Sequence, residues 1–156
     1  MPTVGFPARA GIVALFRPWL AAGSLGQAYL FTGPEGAGKE VTALELARLV
    51  NCQREPACAD GAPCESCCKA LSYQHPDIRW IGPAPASLGE SEAADLLAAK
   101  RANPFHQPPF AASAEVTIGA ADDPGPLTVR GLLRFLRLRP FQGRRKVAIV
   151  GDAHRF

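Results

Sequence analysis

Residues Ala28–Val50 read AYLFTGPEGAGKEVTALELARLV. A short apolar run, Ala28–Phe31, meets a glycine-rich turn, Gly33–Gly38, followed by Lys39 and a segment of helical character. This is the strand–loop–helix setting of a phosphate-binding P-loop, G-x-x-x-x-G-K. Gly33 opens the turn, and Gly36 and Gly38 let backbone N–H groups gather round an anion without Cβ clashes. The helix N-terminus adds partial positive charge, and Lys39 is placed to reach the outer phosphates. The pattern calls next for Ser or Thr, whose hydroxyl helps hold Mg²⁺; Glu40 stands there instead. The loop therefore reads as able to bind ATP or ADP, weakly, and poorly equipped to hydrolyse it. A plain glycine turn with Lys39 solvated is the simpler alternative. The helix that runs to about Val50 carries Val41, Leu44, Leu46, Ala47, Leu49 and Val50, interrupted by Glu40, Glu45 and Arg48. It is apolar on most of its circumference, as a helix packed on a parallel sheet is.

Further along, Val147–Val150 is a fully apolar strand followed by Gly151-Asp152. In P-loop ATPases a second buried strand ends in acidic residues that serve the metal and the hydrolytic water. Gly151 occupies the first of these positions and Asp152 the second. Glu40 and Gly151 thus remove two Mg²⁺-site positions, which argues against hydrolysis. Asp152 has a plainer reading as a helix N-cap after the strand.

One further element precedes the first strand and the others lie between the two. Ile12–Ala22 is helix-like, with Ile12, Leu15, Phe16 and Trp19 at helical spacing, tempered by Pro18. Lys69–Gln74 continues as helix until His75-Pro76, and Ile78–Gly82 is a short strand. Residues 83–126 are the least readable, with a helical patch at Ser91–Arg101 and a possible strand at Glu115–Ile118. Thr128–Leu138 is an amphipathic helix with Arg130, Arg134 and Arg137 in a separate stripe. Strands alternating with helices, apolar on both faces, argue for an α/β fold with a parallel sheet.

All five cysteines fall within one short segment, Cys52, Cys58, Cys64, Cys67 and Cys68. No apolar run approaches a membrane span and no secretion signal heads the chain, so a cytoplasmic protein is expected. Disulfides are then improbable and the clustering points to metal. Cys52, Cys58, Cys64 and Cys67 are the four expected ligands of a structural, tetrahedral Zn²⁺, with Cys68 spare. A set of free thiols on a loop is the alternative. The charge is uneven: residues 1–126 hold nine Lys/Arg against thirteen Asp/Glu, while 127–156 hold eight against one. That places a basic surface near the C-terminal end, available to a DNA backbone or simply solvated.

The order SLGQAYLFTGPEGAGK, a cysteine cluster, Gln74-His75-Pro76-Asp77, Thr128-Val129-Arg130 and KVAIVGDAHRF resembles bacterial clamp-loader AAA+ subunits of DNA polymerase III. The degraded nucleotide site makes it most similar to the delta-prime type. The resemblance covers about residues 10–81 and 127–156. It implies a RecA-like AAA+ domain over 1–156 with a zinc module inserted at 52–68. It also implies a scaffold role beside tau/gamma and delta subunits in a ring that loads the sliding clamp onto primed DNA. The family carries a further strand, an arginine motif, a lid and a collar beyond this stretch. The chain therefore reads as the N-terminal part of a longer protein, its sheet incomplete on the C-terminal side. The competing expectations are an active P-loop NTPase or nucleotide kinase with a zinc-clipped lid, and a zinc-ribbon nucleic-acid binder.

Overall fold

A computed structural model describes residues 7–55, 57–58 and 63–155. Residues 56 and 59–62 of the cysteine segment, and Phe156, lie outside the described residues, as does the side chain of Ile12. In chain order the elements are α1 (Pro7–Ala21), α2 (Lys39–Val50), α3 (Glu65–Leu71), β1 (Ile78–Ile81), α4 (Glu90–Ala102), α5 (Val129–Arg137) and β2 (Val147–Val150), followed by a 3₁₀ turn at Ala153–Arg155.

The two strands pair in parallel, Ile78 opposite Val147 and Ile81 opposite Val150. Side chains alternate between the two faces of a strand. Ile78, Trp80 and Ile149 therefore share one face, where they pack with Leu44 and Ala47 of α2, Ala70 of α3 and Leu96 of α4. Ile81 shares the other face with Ala148 and Val150, covered by Leu132 and Phe135 of α5. Helices cover both faces of the pair, although Arg79 is exposed and Val147, Ala148 and Val150 are half-buried, which suits the mostly apolar reading of the two strands. Helix α1 lays Phe16 against Leu46, Leu49 and Val50 of α2, so α2 is wedged between α1 and the sheet.

Helix α5 starts where its sequence signals it. Thr128 is the N-cap, its hydroxyl accepting from the Gly131 N–H, a bond that satisfies one of the free donors of the first turn. The arginine stripe ties down the preceding loop. Arg130 Nη1 donates to the Gly119 carbonyl at 2.8 Å and Arg134 Nη2 to that of Ala121 at 2.5 Å.

Three expectations are corrected. Ala28–Phe31 forms no strand: β1 and β2 are the whole sheet among the described residues, and Leu30 is 80% exposed. An isolated run has no ladder to join, because an open cleft of about 1950 Å³ separates this segment from β2. Glu115–Ile118 is also irregular. Its backbone bonds go to separate places, Val116 N–H to Arg155 and the Thr117 carbonyl to the Val129 N–H. The helix expected at Lys69–Gln74 lies earlier, at Glu65–Leu71, and stops as Tyr73 turns left-handed at φ +57°. No described helix is long and apolar enough to cross a membrane.

Candidate phosphate loop and metal centre

The glycine loop closes on itself. Gly36 and Gly38 adopt φ of +75° and +78°, a region that side chains resist, and α2 begins directly after Gly38. Lys39 lines the cleft but is folded back onto its own loop. Its Nζ donates to the Gly33 carbonyl at 3.0 Å and to the Pro34 carbonyl at 2.7 Å. Glu40 lines the same cleft and is paired with Lys100, not with Lys39. Both its carboxylate oxygens accept from Lys100 Nζ at 3.0 Å, and one accepts from the Tyr73 hydroxyl at 2.9 Å. Burial and the Glu40 charge both push the Tyr73 hydroxyl pKa upward, so it remains a donor.

The buried ammonium of Lys100 also lies 4.6 Å from the Trp80 ring centroid, a cation–π contact. The same indole crowds the end of β2. A Cβ added at Gly151 would lie 3.1 Å from Trp80 Cζ2. One cluster, Glu40–Lys100–Trp80–Gly151, thus occupies both positions at which the sequence departs from a Mg²⁺-binding loop. Asp152 follows in a turn at φ +47°, its side chain exposed and its carbonyl accepting from the Arg155 N–H at 2.9 Å. It lines the same cleft as Gly33, Lys39 and Glu40. Among the described residues its side chain makes no capping hydrogen bond to the 3₁₀ turn, so the N-cap reading is not met.

The cysteines converge. The sulfurs of Cys52, Cys58, Cys64 and Cys67 all lie within 4.8 Å of one another, and all four residues are buried. Cys52 Sγ is 3.6 Å from Cys58 Sγ and 3.9 Å from Cys64 Sγ. A tetrahedral ion with Zn–S bonds near 2.3 Å requires sulfurs about 3.8 Å apart, so the donor set fits such a metal. Cys68 is exposed and turned toward the Pro63 carbonyl, which makes it the spare. Cys58 N–H donates to Cys52 Sγ at 3.3 Å. For Cys64, burial raises the thiol pKa. The Gln53 and Cys67 backbone N–H groups and the neighbouring Cys67 and Cys58 thiols outweigh it and bring the value down to about 6. Burial pushes the neighbouring Cys67 thiol the other way, upward.

A buried polar network, not anticipated from the sequence, joins the cysteine segment to the basic turn before β2. Ser66 of α3 donates to the Asn51 carbonyl at 2.6 Å and lies 2.9 Å from His75 Nε2. Asn51 Oδ1 accepts from the Arg144 and Arg145 N–H groups at 2.9 and 3.0 Å. His75 Nδ1 accepts from the Asp77 N–H at 3.0 Å. Asp77 in turn accepts from the N–H groups of Phe141, Gln142 and Gly143 and pairs with Lys146 at 2.9 Å. The His75-Pro76-Asp77 motif is a visible signal, but the partners of Asp77 lie more than 60 residues away. Lys100 and Trp80 gave no signal at all.

This geometry belongs to an α/β chain with a lysine-ended glycine loop and a four-thiol cluster beside it. The family model described as "DNA polymerase III, delta subunit" matches residues 9–156; the chain belongs to that family, and the delta-prime-like resemblance is borne out. Relatives include the DNA polymerase III subunit gamma/tau of Mycobacterium tuberculosis (strain H37Rv) and of Mycobacterium bovis. Each is 31% identical over 135 residues, covering 86% of this chain and 17% of the relative. The DNA polymerase III subunit delta' of Bacillus subtilis (strain 168) is 39% identical over 71 residues, 44% of this chain and 20% of the relative. The matched stretch is therefore a small part of each relative's length. No solved structure matches significantly.

Proposed function

We propose that this chain is part of a delta-prime-like scaffold subunit of the bacterial clamp loader, acting in the cytoplasm. In this reading it helps tau/gamma and delta subunits load the sliding clamp onto primed DNA. Its core is a P-loop NTPase domain of the AAA+ type whose nucleotide site is degraded, so the chain is not an ATPase by itself and holds ATP or ADP weakly if at all. A structural Zn²⁺ on Cys52, Cys58, Cys64 and Cys67 clips the inserted module.

The observation that carries this reading is the Glu40–Lys100–Trp80–Gly151 cluster. A hydrolytic site needs a hydroxyl after the lysine and an acid after the second strand, both serving one Mg²⁺. Here a lysine ammonium sits on the Glu40 carboxylate and an indole covers Gly151. Lys39 is bonded to its own loop. These contacts favour a fixed wall over a working site, which is what a rigid ring member needs. Metal bound at the cysteines supplies order to a segment with little core of its own.

The test is assembly. The chain mixed with gamma/tau-type and delta subunits from the same source is expected to co-sediment as one complex in the absence of ATP hydrolysis. Independent sedimentation of the chain, with all partners active, would remove the proposal.

A further inference from the structure

Helix α2 carries two buried charges that neither the loop nor the sheet uses. Glu45 is 1% exposed and Arg48 3%, in a helix otherwise apolar on its inner surfaces. Arg48 Nε lies 3.0 Å from each Glu45 carboxylate oxygen, and Nη2 also donates to Glu45 Oε1. The remaining amine points elsewhere. Nη1 donates to Cys67 Sγ at 3.3 Å and to the Cys58 carbonyl at 3.2 Å.

An ion pair this deep is poorly explained by stability, since apolar side chains of equal volume commonly do as well. Its direction offers a better reason. A divalent ion on four thiolates leaves a net negative charge in a buried place, which is unfavourable without nearby donors. The Arg48–Glu45 pair is a fixed dipole with its positive end on the sulfurs. Glu45 holds the guanidinium plane, so Nη1 is directed at Cys67 Sγ and the Cys58 carbonyl.

We propose that Arg48, held by Glu45, is the outer-sphere partner of a four-thiolate divalent-metal centre. It is a positioning residue that orients Cys67 and Cys58 and makes metal retention a property of α2 as well as of the cysteine segment. The assignment rests on reading the four thiols as a metal centre, and one titration separates the two ideas. Co²⁺ is added to the reduced full chain while the sulfur-to-cobalt charge-transfer and d–d bands are followed, and Zn²⁺ is then used as competitor. Wild-type chain is expected to take up one tetrahedral Co²⁺. The double variant Glu45→Leu/Arg48→Met, which removes both members of the pair, is expected to bind about 10–100-fold more weakly and to show a displaced charge-transfer band, because Cys67 has lost its N–H donor. Arg48→Lys, which keeps the charge but not the fork, is expected to shift the band as well, and it serves if the double variant does not fold. Wild-type affinity with an unmoved band in the variants would overturn the role of Arg48 while leaving the metal centre intact. Weaker binding with an unmoved band would reduce Arg48 to packing and overturn it too. Failure of the wild-type chain to take Co²⁺ would overturn the metal centre itself, and the assignment with it.

Discussion

Asp77 has no exposed surface and still keeps its charge. Burial alone would raise its pKa, but hydrogen bonds from Gly143, Phe141, Lys146 and Gln142 hold it far below the usual carboxylate range. The carboxylate thereby fixes the turn that feeds β2. Asp77→Asn removes the partner of Lys146 and one strong acceptor, and is expected to lower stability by about 3–5 kcal/mol at pH 7, read by urea unfolding. The pH dependence follows from the direction of the shift. A carboxylate depressed in the folded chain contributes fully above its unfolded value near 3.9 and loses that contribution as pH falls below it. The wild-type chain should lose stability below about pH 4 more steeply than Asp77→Asn; parallel acid profiles would contradict this. Glu40 is a second residue whose partners decide its effect. Glu40→Thr restores the hydroxyl that the loop pattern lacks, but strands Lys100 beside Trp80. We expect a loss of about 1–3 kcal/mol in the same unfolding assay and no gain of ATP hydrolysis. A gain in Mg²⁺-dependent turnover would show that the cluster does not block the site. Glu40 was legible as a departure from the pattern; its true partners were not, because Lys100 is 60 residues distant and ordinary in its local sequence.

Among the elements, those with a dense local pattern were legible: α2, α5, β1 and β2 lie within a residue or two of where apolar spacing and caps put them. Ala28–Phe31 carries the same apolar signal as β2, yet only β2 has a neighbour to pair with; strand formation is decided across the sheet and not within the run. The start of α3 was missed because its first turn is made of metal-ligand candidates, Cys64 as N-cap and Cys67 inside. The four-thiol site was readable as a set, since spacing and clustering name the residues. Its second layer was not, because Glu45 and Arg48 look like a routine i,i+3 pair. Arg48 and Asn51 at the end of α2 link that helix to α3 and the cysteines. Cys64→Ser should therefore release metal and loosen more than the 52–75 segment. Amide exchange is expected to rise in the C-terminal half of α2 and to stay unchanged at residues 33–38. Exchange that rises only between residues 52 and 75 would sever this link.

For the whole molecule, two features leave apolar and hydrogen-bonding surface open. The Val147 N–H donates to Asp77 and the Gly151 N–H to Ile81, so the alternate N–H groups, Ala148 and Val150, point away from β1 toward the cleft. Leu138 and Phe141 are 64% and 87% exposed, as Leu30 is across the cleft. Open edges and apolar patches promote association. The isolated chain is expected to be marginally stable and to self-associate on sedimentation. A clean monomer with a cooperative melt above roughly 60 °C would contradict that. The open cleft also bears on the proposal that the glycine loop is a structural remnant, with Glu40 and Gly151 where a working site would hold Mg²⁺. If the loop worked, Lys39 would be indispensable to it. The most direct measurement is steady-state ATP turnover by the purified chain, with and without Mg²⁺, beside Lys39→Ala. Turnover is expected at background in all cases, indifferent to Mg²⁺ and to the substitution. Mg²⁺-dependent turnover at ordinary P-loop rates that disappears in Lys39→Ala would contradict it.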